Sequence, residues 1–156
     1  MRRTMMKSKI HRATVTGADI DYVGSITLDP ELMRLADMRE FEQVHVLDID
    51  NGARFETYAM AGSSGDVILN GAAARLVDPG DRVIVITYAE YDESELGAYK
   101  PQIVHVDEGN GPIPAELAVQ RAGSNLVWMR GPRGADGVRN PVRPGAVQAQ
   151  TGGPDR

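Results

Sequence analysis

The chain has 156 residues and a formal net charge of −5, which is enough for one domain with its own core and too little for two ordinary ones. It contains no cysteine, so disulfides, thiolate nucleophiles and Cys-ligated metals are excluded. Residues 1–115 carry 11 basic and 19 acidic side chains, residues 116–156 six and three; an acidic body argues against nucleic acid as a partner.

The amino terminus has Arg2, Arg3 and Lys7 and then stays polar, unlike a signal peptide. No apolar run approaches the roughly 20 residues that span a bilayer, so no membrane contact is expected and the protein reads as cytoplasmic. From Gly111 onward the chain turns rich in Gly, Pro, Arg and Gln. The expectation is a domain over 1–110 and a disordered tail over 111–156.

Met5 to Thr16 alternates as a strand, with Ile10, Arg12, Thr14 and Thr16 on one side. Lys9, His11, Ala13 and Val15 fall on the other. Thr16-Gly17-Ala18-Asp19 reads as a turn. It leads to Tyr22-Val23-Gly24-Ser25 and a short strand, Ile26-Thr27-Leu28. Asp29-Pro30 starts a helix, Asp29 as N-cap and Pro30 at the first helical position, with Leu32, Leu35 and Ala36 inward.

Gln43 to Ile49 is a strand that alternates Val44, Val46 and Asp48 against His45, Leu47 and Ile49. Asn51-Gly52 then signals a hairpin. The return strand Ala53 to Met60 puts Arg54, Glu56, Tyr58 and Met60 on one face and Phe55, Thr57 and Ala59 on the other. Thr57 and Tyr58 can serve one site only through a bulge, a strand end or a subunit boundary. Gly62 to Asp66 is a loop, and Val67-Ile68-Leu69 a short strand. In Asn70-Gly71-Ala72-Ala73-Ala74, small residues let a backbone approach a ligand closely. Val77 to Asp81 is a tight turn, Arg82 to Tyr88 a buried-type strand, Asp92 to Gly97 a helical turn and Gln102 to Val106 a last strand. About seven short strands with one or two minor helices suggest a mainly β fold, a small closed or nearly closed barrel.

Gly24-Ser25 alone is an ordinary turn. Lys9-Ile10-His11-Arg12, Tyr22-Val23-Gly24-Ser25, Asn51 to Tyr58 and Asn70 to Ala74 occur in that order, however, and this succession resembles the pyruvoyl-dependent L-aspartate 1-decarboxylases. The resemblance covers about residues 1–108 and implies a double-psi β-barrel assembled as a homotetramer. It also implies a chain that cuts itself between Gly24 and Ser25, so that Ser25 becomes a covalent pyruvoyl cofactor. The chemistry is reasonable: a serine hydroxyl can attack the preceding carbonyl when the backbone is strained and the oxyanion has a donor, and a glycine leaves that carbonyl open. Elimination and hydrolysis then leave a ketone, which condenses with a substrate amine and accepts the electron pair released with carbon dioxide.

The resemblance assigns Tyr58 as proton donor, and Thr57 as the hydroxyl that assists cleavage and touches substrate. Asn70 steadies the cleavage loop. Lys9 and Arg54 face the carboxylates of L-aspartate, His11 lines the pocket, and Gly71, Ala72 and Ala73 contact substrate through their backbone. The implied product is β-alanine, for pantothenate synthesis, and a maturation helper protein belongs to the partners to be considered. No metal site is expected, since three scattered histidines match no ligand motif; His45 and His105 are read as structural. The Ala61–Asn70 loop is about two residues shorter than the family's usual form, Arg75 stands where a histidine is frequent, and Leu47 replaces an aromatic found in some members. Two alternatives stay open: a barrel-type binding or assembly module that never cleaves, and a pyruvoyl enzyme for another amino acid.

Overall fold

Strand β1 (Arg2–Thr14) is the longest element among the described residues. The computed structural model describes residues 1–23 and 25–118; Gly24 and residues 119–156, where most of the expected tail falls, lie outside the described residues. β1 pairs antiparallel with β7 (Arg82–Asp92) and parallel with β8 (Gln102–Val106). The simple alternation expected of β1 breaks at Arg12. The register against β7 shifts between His11 and Ala13, and Arg12 takes a φ of 67°. The extra residue leaves the guanidinium exposed and puts Ala13, not Arg12, into the core behind Ile10. A bulge at this point avoids burying an unpaired charge, and Lys9 and His11 still share a face.

Gly17–Asp19, expected as a turn, forms the short strand β2, parallel to β6 (Val67–Asn70). β3 (Ile26–Leu28), β4 (Gln43–Asp48) and β5 (Arg54–Ala61) complete the main ladder, and β9 (Pro112–Ile113) adds to β8. β9 lies beyond the expected boundary at residue 110, because Pro112 and Ile113 pair with Val106 and His105. The strand order is β2-β6-β3-β5-β4-β7-β1-β8-β9.

Only Val15 and Thr16 connect β1 to β2, yet these strands are six places apart in that order. In a flat sheet that separation is about 29 Å, whereas the linker reaches at most roughly 11 Å. The sheet must therefore curl round on itself. The closing bonds run from Thr16 N–H to the Val67 carbonyl and from Val15 N–H to the Asp81 carbonyl, both 2.8 Å. The mainly β barrel expected from strand spacing is thus what the chain forms.

One face of β1 and of each strand from β3 to β8 fills the interior, whereas β2 and β9 bury no side chain. Ile10, Ile26, Leu28, Val44, Val46, Val67, Leu69, Val83 and Val85 are all inaccessible to solvent. Helix α1 (Pro30–Leu35) plugs the core with Leu32 and Met33. It starts as expected, the Asp29 carboxylate accepting from Glu31 N–H at 2.7 Å. The same carboxylate also accepts from Gly65 N–H at 2.7 Å, so a single buried acid ties the helix start to the 62–66 loop.

Candidate functional site

Ser25 sits at the mouth of β3, buried to 8% exposure. β3 is antiparallel to β6 and parallel to β5, with Ile26 opposite Leu69 on one side and Ala59 on the other. One residue earlier, the Ser25 carbonyl accepts from Asn70 N–H at 2.9 Å. Asn70 is itself buried, and its Nδ2 donates to Thr27 Oγ1 at 2.9 Å. Asn70 therefore holds Ser25 through its backbone and Thr27 through its side chain. Gly71, with φ 56°, turns the chain into a 3-10 helix over Gly71–Leu76. This gives Ala73 and Ala74 buried positions and leaves Ala72 exposed.

Tyr58 precedes the Ala59 rung of β5 as Ser25 precedes the Ile26 rung of β3, which brings the two to the same level of adjacent strands. Tyr58 is 37% exposed and lies against Phe41, ring centroids 6.1 Å apart. Phe41 adopts a φ of 64°, rare for a bulky residue, and its N–H donates to the Ala59 carbonyl at 2.7 Å. Thr57 falls on the opposite face of β5, opposite Val44, as alternation requires. No bulge brings Thr57 and Tyr58 to one side within this strand.

The remaining candidates form a second group. Following the pairings across the sheet, Arg54 stands opposite Leu47, Leu47 opposite Ile84, Ile84 opposite His11 and His11 opposite His105. The next row runs Glu56, His45, Ile86, Lys9, Ile103. Lys9, His11 and Arg54 thus share the outward face of the barrel. Among the described residues, neither Lys9 nor Arg54 has a carboxylate within ion-pair distance, whereas Lys7, Arg34 and Arg82 each do. A cleft of about 310 Å³ is bounded by Arg54, Glu56, His45, Leu47 and Tyr88.

His105, read from the sequence as structural, meets His11 edge to face with centroids 5.4 Å apart. Burial, and then the charges of Lys9, His105 and Arg12, lower the His11 imidazole from 6.5 to about 4. Its Nδ1 is buried and has no hydrogen-bond partner among the described residues. The signal for His105 was hidden, because a parallel β1–β8 pairing joins opposite ends of the domain. His45 also has partners, Glu56 Oε1 at 2.8 Å and the Tyr88 ring at 5.0 Å. The acids Asp48, Asp50 and Asp81 gather elsewhere. Asp50 is taken up by Arg82, which holds its carboxyl down at about 2, and Asp48 is bonded by Asn51.

Residues 1–113 match the family model described as aspartate decarboxylase. Among solved structures, the computationally designed msDPBB_sym2 protein is similar at 18% identity with a TM-score of 0.33, over 53% of this chain and 96% of that one.

Proposed function

From the premise that the chain belongs to the aspartate decarboxylase family and is a decarboxylase, we propose that it matures by cutting itself between Gly24 and Ser25. The mature enzyme then converts L-aspartate to β-alanine and carbon dioxide, a product suited to pantothenate synthesis. The observation that carries this reading is the placement of Ser25, held by Asn70 and level with Tyr58.

A pyruvoyl group fits these residues. Its carbon skeleton would be that of Ser25, with a water-derived oxygen in place of the nitrogen, so it needs little new volume, and the carbonyl already held by Asn70 N–H would become its amide carbonyl. When present, the group supplies an electron sink for an amine substrate. The protein's own residues do the rest. Asn70 fixes the strand end, and the small Gly71, Ala72 and Ala73 let the substrate approach their amides; Thr57, which the family resemblance makes the hydroxyl that assists cleavage, lies on the other face of β5 from Tyr58 and would act from there. Tyr58 returns a proton to the carbon that loses carbon dioxide. Lys9 and Arg54, cations with no carboxylate partner among the described residues, receive the carboxylates, the Arg fork being suited to that geometry.

Lys9 and His11 lie on β1, four places from β3 in the sheet, about 19 Å along it. Outward side chains that far round a small barrel diverge. This supports a site completed between copies of the chain: Ser25, Tyr58 and Asn70 from one, and Lys9, His11 and Arg54 from its neighbour. The half-buried apolar residues between these cations, Leu47, Ile84 and Ile86, suit a covered face, in keeping with a homotetramer. A helper protein in maturation remains part of the proposal.

Intact-mass measurement under denaturing conditions tests the reading. Wild type should give two fragments, the larger lacking a normal amino terminus at position 25. Ser25→Ala should stay whole and inactive, and Tyr58→Phe should be cut yet lose most turnover. A single uncut chain that still releases carbon dioxide from aspartate would refute the scheme, and full turnover in Tyr58→Phe would remove that residue as proton donor.

A further inference from the structure

Nothing in the sequence singled out Thr27, yet both branches of its side chain are accounted for by the fold. Its Oγ1 accepts from Asn70 Nδ2 at 2.9 Å. Its Cγ2 points at Gly62, where an added Cβ would lie only 2.3 Å away. Gly62 N–H in turn donates to the Leu28 carbonyl at 2.9 Å, which fixes the glycine against β3. A β-branched side chain has few staggered choices. With the methyl seated over the bare Cα of Gly62, the hydroxyl is directed at Asn70.

Asn70 is 3% exposed, so its side-chain donor cannot turn to bulk water without cost. Anchoring Nδ2 on Thr27 also settles where the other end of the amide, Oδ1, must lie. The same residue carries the N–H that holds the Ser25 carbonyl. Loss of the Thr27 hydroxyl would therefore free the residue that fixes the strand end next to the 24–25 linkage.

We infer that Thr27, seated by Gly62, is a positioning residue for self-cleavage, acting through Asn70. The inference rests on the self-processing reading above. In the step concerned, Ser25 Oγ bonds to the Gly24 carbonyl carbon and the Gly24–Ser25 C–N bond breaks. The hydroxyl proton passes to the released amine, so an amide is exchanged for an ester with no atom gained or lost. Thr27 acts through Asn70, to which its hydroxyl is bonded; it keeps Asn70, and through it Ser25, in one arrangement while the linkage reacts.

The test follows newly made protein by denaturing intact mass, with circular dichroism to establish folding. Thr27→Val keeps the shape but removes the acceptor and should slow cutting roughly tenfold or more. Thr27→Ser keeps the acceptor and should cut much faster than the valine variant. Gly62→Ala should also slow cutting, by displacing the threonine methyl. Equal cutting rates for wild type and Thr27→Val would overturn the inference alone. Equal slowing in the serine and valine variants would also overturn it, since the hydroxyl would then not matter. Should Thr27→Val fail to fold, the serine and Gly62→Ala variants decide: normal cutting in Gly62→Ala refutes the seat. A wild type that never cuts would bring down the self-processing reading first, and this one with it.

Discussion

His11 shows how a single side chain couples the site to stability. An imidazole in the unfolded chain protonates near 6.5, but the folded one does so only near about 4. Between these values the unfolded state binds more protons, so stability falls as pH drops from 6.5 towards 4, and this contribution flattens below that. His105 is lowered for the same first reason, burial, and adds a change of the same sign. The expected outcome is a urea midpoint that slides down over this window in wild type and slides less in His11→Gln; identical slopes would show that His11 is not responsible. Lys9 with His11, and Arg54 with Tyr58, were legible as face-sharing pairs because a strand has a two-residue period. Arg12 was misread for the same reason, since a bulge has no fixed sequence mark.

At the scale of elements, Asp29 does two jobs. Its role as helix cap was legible from Asp-Pro-Glu, the order that a helix start favours. Its bonds to Gly65 N–H and the Ser64 hydroxyl were not, because they arise only when the 62–66 loop folds back on α1. The hydrogen bond from Gly65, working against burial and aided by Glu31, Leu32 and Ser64, keeps the carboxyl below its ordinary 3.8, so its support is lost only on strong acidification. Asp29→Ala should cost about 2 kcal/mol by the loss of a cap and a buried acceptor. Thermal unfolding measures this, and a loss no larger than that of an exposed cap would mean the loop bond contributes nothing. The short strands β2 and β9 escaped sequence reading because two or three residues carry no period.

For the whole molecule, closure and the seven longer strands followed from spacing, whereas β2, β9 and the division of candidate residues into two groups did not. That division appears only once strand order is known, since a chain can place Lys9 and Ser25 sixteen residues apart and yet on diverging faces. The proposed junction of copies makes a specific demand. Ser25→Ala and Lys9→Ala should each be inactive alone. Produced together, they should form mixed assemblies in which an intact Ser25 meets an intact Lys9 of a neighbour, and part of the activity should return. Mixed assemblies with no activity would place the whole site in one copy.

The seating of β1 between β7 and β8 bears on what scission leaves behind. The segment ahead of the proposed cut contains an interior stave of the barrel, hydrogen-bonded on both edges, so it is not a discardable leader. Severed from the rest, it would stay lodged in place, and the mature protein would be a two-piece barrel whose reassembly after denaturation is bimolecular where that of the uncut chain is unimolecular.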